Sequence, residues 1–274
     1  MAVDAERFRA FERAAHDRMA ESYTAFFAPI TSLAIETLLD AAGLRAGSSV
    51  LDVAAGPGRV AAAAAARGCI ARGVDLAPGM VALARKLNPA IAFGEADVEA
   101  LPFDDGAFDA VVCNFGLGHF PRPEAAVAEC VRVLAPGGAL ALSWWDHPER
   151  TRVQGIFREA VAEIAAPPPP ELPQGHPLYR FSDAGEFRAL LEAAGLASVA
   201  IRDRDATCHF ADSTTLWQGG LGSFAVTAAT IVHGDVTTRD RIRAAFERRA
   251  AAYRTPNGLV IPIAFKIGAG RKPM

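Results

Sequence analysis

The stretch Val50-Leu51-Asp52-Val53-Ala54-Ala55-Gly56-Pro57-Gly58 holds the residues of this chain most suited to receive a ligand. Its apolar half reads as a buried strand, and the glycines then turn the backbone into a helix. Glycine tolerates a positive φ and carries no Cβ, so a ligand can approach closely, and the free N–H groups of the following helix favour a carboxylate or phosphate. An anionic, nucleoside-like ligand fits that chemistry. Twenty-three residues after Asp52, Val74-Asp75-Leu76 closes a second apolar run and sets a carboxylate beside the turn. Two ribose hydroxyls are natural partners for Asp75; the other use of the same side chain is to cap a helix starting at Pro78.

Gly56-x-Gly58-x-x-Ala61 also satisfies the dinucleotide fingerprint, with an acid close to the distance expected for a ribose contact, so a nicotinamide oxidoreductase fits these residues too. Further along, Glu95-Ala96-Asp97-Val98-Glu99-Ala100-Leu101-Pro102-Phe103 and Arg132-Val133-Leu134-Ala135-Pro136-Gly137-Gly138 complete a series. Together with Asp52 at the strand end, these segments resemble class I S-adenosylmethionine-dependent methyltransferases. The region 49 to 145 is similar to the methyltransferase type 11 group, which includes the ubiquinone/menaquinone C-methyltransferases. The resemblance implies that the turn at Asp52, Ala54, Gly56 and Gly58 carries the methionine portion of the cofactor and that Asp75 holds the ribose. It also implies that Asp97 faces the adenine amine, with Leu76, Met80 and Val98 flanking the ring. Asn114, Phe115 and Tyr23 complete the expected cofactor contacts. The implied product is S-adenosylhomocysteine.

His119 follows the fourth predicted strand by a few residues, where this family places groups near the sulfonium methyl. An imidazole with an ordinary pKa of about 6.5 can take a proton from a hydroxyl or an activated carbon at neutral pH; packing, or capping of a helix starting at Pro123, is its other use. Asn114-Phe115-Gly116-Leu117 departs from the Asn-Pro-Pro-Tyr pattern, which argues against base or glutamine amide methylation. The expected acceptor is a mostly apolar small molecule of quinone, phenol or secondary-metabolite type. Trp144, Trp145, Trp217 and Phe224 are candidate walls for it, and His176, Tyr179 and Arg180 candidate contacts. Phe26 and Phe27 join Tyr23 as rings that could close on the cofactor. A protein that keeps the cofactor as a scaffold, a non-methylating pericyclase or a binder, is the alternative in another class.

The elements that must position these residues alternate. Strands are predicted at 49 to 53, 70 to 74, 91 to 93, 108 to 113 and 139 to 144, with helices at 60 to 67, 78 to 87 and 123 to 133 between them. This is a Rossmann-like, doubly wound α/β fold: a mostly parallel seven-stranded sheet with an antiparallel last strand and a helical lid. Residues 1 to 46 are expected to form a helical cover and 47 to 274 the core, with acceptor-covering insertions at about 146 to 180 and 213 to 252, the latter as two helices. Late strands are expected at 199 to 210 and 259 to 267.

The 274 residues are 51% hydrophobic, enough for one large core, and carry a formal charge of -3 with no Lys/Arg block that would track a phosphate backbone. Nucleic acid is not an expected partner. Cys69, Cys113, Cys130 and Cys208 are scattered, which reads as reduced thiols in the cytoplasm, and no apolar stretch is expected to span a bilayer. His16, His147, His209 and His233 show no H-x-x-x-H or Cys/His spacing, so no metal site is expected.

Overall fold

A computed structural model describes residues 4–274. Apolar runs dictate the centre of the fold. Strand β1 (Ser49–Val53) is flanked by β2 (Ile70–Asp75) and β4 (Phe108–Asn114), with β3 (Ala92–Glu95) beyond β2 and β5 (Leu134–Trp145) beyond β4. These five run parallel. The last long strand, β8 (Gly258–Arg271), pairs antiparallel with β5 on one side and with β6 (Ala197–Phe210) on the other, giving the order β3-β2-β1-β4-β5-β8-β6. A strand hydrogen-bonded and covered on both faces can be apolar throughout, and Val50, Leu51, Val111, Val112, Leu140 and Ala141 are fully buried.

Helix α3 (Arg59–Ala66) follows β1, α4 (Pro78–Leu87) follows β2 with proline in its first turn, and α5 (Pro123–Val133) follows β4. Pairing places Val53 beside Val74, Asp75 beside Glu95 and Asn114 beside Ser143. The strand ends that carry the candidate chemistry therefore share one carboxyl edge, where open α/β sheets bind ligands.

Helix α1 (Ala5–Thr31) packs on α4 at that edge. Arg9 forms ion pairs with Asp97 (2.5 Å) and Glu99 (2.8 Å), and the N–H of Gly79 donates to Asp17 (2.6 Å). Helix α2 (Ile35–Ala42) instead belongs to the core, with Leu38 and Leu39 fully buried against the sheet. The expected cover at 1 to 46 thus divides in two, and its residues 1–3 lie outside the described residues. The continuous helical run Ala5–Ala42 does contain a stretch long and apolar enough to cross a bilayer, which the sequence reading did not anticipate; half of that stretch is buried within the fold.

Three further departures have local causes. The 213 to 252 segment forms three helices, not two: α8 (Ser213–Leu221), α9 (Ala225–His233) and α10 (Val236–Ala250), because Gly222-Ser223 and Gly234-Asp235 each break the chain. Strand β5 starts at Leu134, five residues early, since the Pro136-Gly137-Gly138 turn is absorbed as an irregularity in its pairing with β4. An eighth strand, β7 (Arg254–Thr255), is a two-residue hairpin arm on β8. Helices α6 (Arg152–Ile164) and α7 (Ala184–Ala193) complete the layers, α6 packing on α10 and α7 on β6.

Candidate active site

The turn after β1 is built as its glycines require. Gly56 and Gly58 have φ of 52° and 81°, and at Gly58 a Cβ would come within 2.6 Å of the Phe93 ring. At Gly56 a Cβ would meet nothing within 4 Å, because the backbone there faces open space. Asp75 braces the turn: Oδ2 accepts from the Gly56 N–H (2.8 Å) and Oδ1 from the Ala77 N–H (2.9 Å). Burial raises the pKa of Asp75, an effect these two N–H donors and the positive side of His16 oppose. Each oxygen keeps a lone pair for a second donor, as two ribose hydroxyls would supply. Ala54 and Phe115 carry side chains at positive φ (54° and 58°), a conformation worth about 1–3 kcal/mol of strain that persists where surroundings over-determine it. For Phe115 those surroundings are visible: its N–H donates to Ser143 Oγ (2.9 Å) and its ring stacks on Trp145 at 3.8 Å.

A chamber of about 790 Å³, partly open to solvent, extends from this turn. Of the residues expected to touch the cofactor, Tyr23, Ala54, Gly56, Asp75, Leu76, Met80, Asp97, Val98, Asn114 and Phe115 line it, as does His119. Asp52 and Gly58 do not. Asp52 is 1% exposed and points under the turn, where Oδ2 accepts from the Ala61 N–H (3.0 Å) and Oδ1 has no partner. Burial pushes its carboxyl up to about 8, against the pull of that N–H. Its visible role is to hold the start of α3. Asp97 lines the chamber but is already engaged, by Arg9 and by the Glu99 N–H (2.9 Å).

A second chamber, of about 1140 Å³ and also partly open, adjoins the first and shares Glu12, His16, Tyr23, Phe115 and His119 with it. Trp144, Trp145, Phe27 and Phe224 wall it, and His176 reaches it from the proline-rich connection. Trp217 does not; half-buried, it stacks on Phe157 away from the chamber. Phe26 stacks on Phe210, outside both chambers. Arg180 is held away by Glu124 and Glu186, and the Tyr179 hydroxyl donates to Gln154. Trp144 is fixed by donation from its indole N–H to the Leu178 carbonyl (2.9 Å).

At the shared wall stands a constellation the sequence reading missed. Glu12 Oε2 lies 2.9 Å from His119 Nδ1 and 3.3 Å from His16 Nδ1, and His16 Nδ1 is 3.0 Å from the Glu12 carbonyl. A carboxylate only accepts, so the nitrogens facing it carry protons, which leaves His119 Nε2 as the basic atom when that ring is neutral. Burial would raise the Glu12 pKa, but the two imidazoles hold it well below the usual carboxylate range. Burial would lower that of His16; Glu12, with Asp75 behind it, instead lifts it to about 9. At neutral pH His16 is therefore a cation paired with an anionic Glu12. The three ligand-type atoms lie within 4.8 Å of one another, and the hydrogen bonds account for that closeness. The missed signal was Glu12-x-x-x-His16, one turn apart on the face of α1 that also carries Arg9 and Arg13; a search confined to His and Cys spacings passes over it.

Residues 51–142 match the methyltransferase domain family. The chain is 40% identical over 126 residues to a demethylmenaquinone methyltransferase of Renibacterium salmoninarum, a match covering 46% of this chain and 52% of that protein. It thus spans about half the length of that relative. An uncharacterized protein of Mycobacterium tuberculosis, Rv1405c, is 33% identical over 197 residues, covering 70% of this chain and 69% of the relative. Among solved structures, a putative methyltransferase from Bacillus halodurans superposes with a TM-score of 0.58 at 22% identity, covering 88% of this chain and 99% of that one. At that identity the likeness is one of fold.

Proposed function

Since this chain belongs to the S-adenosylmethionine-dependent methyltransferase family, we propose that it moves the sulfonium methyl to an oxygen, nitrogen or carbon nucleophile of a mostly apolar small molecule. The likeness to a demethylmenaquinone methyltransferase favours a quinone or phenol type of acceptor. The observation that carries this reading is the meeting of two chambers at one wall, with His119 in both linings.

The first chamber suits the cofactor. Open space over the Gly56 backbone would receive the methionine portion, the free lone pairs of Asp75 the ribose, and Leu76, Met80 and Val98 the faces of the adenine. The cofactor supplies an electrophilic methyl group on a positively charged sulfur. The chain's own work is to seat the acceptor in the second chamber with its nucleophile at the shared wall, to exclude water and to receive the acceptor's proton. Nε2 of His119 takes that proton, and Glu12 holds the ring in the tautomer that allows it. Helices α1, α8 and α9 and the connection after α6 would act as the covering lid.

Calorimetric titration with S-adenosylmethionine and S-adenosylhomocysteine, with NAD(H) and NADP(H) as controls, tests the first half. Both sulfur compounds bind if the reading holds; a folded sample that binds neither overturns it. Transfer of labelled methyl to a panel of phenols and hydroquinones, compared between wild type and His119→Ala, tests the second. The variant should lose turnover while keeping cofactor affinity.

A further inference from the structure

The second chamber also carries a set of groups that methyl transfer itself does not use. Helix α9 opens there, and the three residues of its first turn, Ala225, Val226 and Thr227, line the cavity. The N–H groups of a first helical turn have no intrahelical acceptor, and no side chain caps this one: the preceding residue is Phe224. The N–H of Phe224 is spent on the Gly220 carbonyl, and the first intrahelical bond is made by Ala228. Two residues before the helix stands Ser223, 7% exposed, with its Oγ buried and without any hydrogen-bond partner. A hydroxyl left so is costly unless a ligand completes it.

Charge points the same way. Arg158, an exposed side chain, lines this chamber from α6, and among the described residues it forms no ion pair. Its guanidinium rests 5.0 Å from the centre of the Tyr179 ring, a contact that positions the cation and leaves its N–H donors open to a ligand. The one carboxylate in the lining is Glu12, already matched by His16 and His119.

Resting on the methyltransferase reading above, we infer that the acceptor is amphipathic: an apolar, aromatic-sized body bearing an oxyanion, whose negative group seats between the start of α9, Ser223 and Arg158. A helix N-terminus with unpaired N–H groups favours a carboxylate or phosphate, and an arginine adds a planar pair of donors. The apolar body lies along Phe27, Phe224 and Trp144, which directs its other end toward His119. A neutral quinone would fill the apolar part and leave the polar end unmatched.

Two fluorescent probes of the same shape separate the possibilities: 8-anilinonaphthalene-1-sulfonate and its neutral counterpart N-phenyl-1-naphthylamine. Both are titrated into wild type, Arg158→Gln and Ser223→Ala, each saturated with S-adenosylhomocysteine. The sulfonate should bind wild type roughly tenfold more tightly than the neutral probe, a preference reduced about tenfold in Arg158→Gln and about threefold in Ser223→Ala. Affinity for the neutral probe should hold in both variants. Equal affinity of the two probes for wild type, or the same loss for both probes in Arg158→Gln, overturns the inference. Parallel calorimetry with S-adenosylhomocysteine keeps the two readings apart. If that ligand fails to bind, the methyltransferase reading falls, and the probe comparison still decides whether an oxyanion site exists.

Discussion

Replacing Glu12 by Gln isolates the constellation at the shared wall. Glu12 is 5% exposed and its Oε2 serves two imidazoles at once, at 2.9 and 3.3 Å. The amide keeps the shape and can set its one oxygen where Oε2 stood, but both ring nitrogens lose the negative charge. A hydrogen bond to a charged group contributes about 1.5–3 kcal/mol, and a tenfold change in rate corresponds to about 1.4 kcal/mol. If His119 is the proton acceptor and Glu12 its positioner, kcat should fall by about 10- to 100-fold, with the affinity for S-adenosylhomocysteine changed by less than about threefold. Stability gives an independent readout. His16 is raised from 6.5 to about 9, so its contribution is fully present below 6.5 and is lost as pH rises through 9. Glu12 is lowered, so its contribution is present above 4.5 and is lost only in acid. The stability gap between wild type and Glu12→Gln should therefore be widest near pH 5 to 6.5 and shrink toward pH 9.5, by up to about 1.4 kcal/mol per unit. Urea unfolding across that range measures the gap, and labelled methyl transfer measures the rate. An unchanged kcat together with a pH-independent gap would refute both the positioning role and the ion pair.

Asp75→Asn should weaken S-adenosylhomocysteine binding by at least about tenfold, because the amide N–H₂ opposes one of the two backbone donors and loses a ribose partner; unaltered affinity in calorimetry would remove Asp75 from the cofactor site. Asp52→Asn abolishes a carboxyl that ionises near 8 in the fold against 3.8 for the free side chain. Wild-type stability should accordingly decline as pH rises from about 4 to 8, and the variant should gain on it by about 1.4 kcal/mol per unit across that window, as followed by urea unfolding; parallel curves would contradict the assignment. At Gly118 an added Cβ would fall 2.0 Å from the Trp144 ring, so Gly118→Ala should displace that wall of the second chamber at a cost of about 1–3 kcal/mol. Its signature is a raised KM for acceptor with cofactor affinity retained.

The parts of the site carried by consecutive residues were readable before the fold was known, and those assembled across the chain were not. The turn at Gly56 and the acid at Asp75 are encoded by short-range constraints, since an apolar strand must end and a positive φ must be accommodated within a few positions. Ten of the twelve expected cofactor residues line the first chamber, most of them expected from the family resemblance and not from these local constraints. Asp52 escaped because an acid at the end of a strand can turn outward to ligand or inward to the helix that follows, and only packing decides; here it turns to the Ala61 N–H. The third helix in the 213 to 252 segment rests on two glycine breaks that composition alone leaves ambiguous. Glu12 and His16 went unread because they look like the solvated face of an amphipathic helix. They become a site only when α1 lies across a strand end 107 residues away in sequence.

That placement of α1 links the two chambers mechanically. At its start Arg9 grips Asp97 and Glu99, in its middle Asp17 holds the Gly79 N–H, and between these lie Glu12 and His16. The grip falls on Asp97 in the first chamber, the residue proposed to face the adenine, while the carboxylate it delivers serves the imidazole shared with the second. A helix is stiff over such a span, about 1.5 Å per residue, so a rigid shift of α1 that carried Arg9 off Asp97 would also draw Glu12 from His119. Its one proline, Pro29, lies well past both contacts. Under the proposed reading, the helix that covers the cofactor chamber is thus also the one that sets His119 as a base, so the two chambers share one structural support.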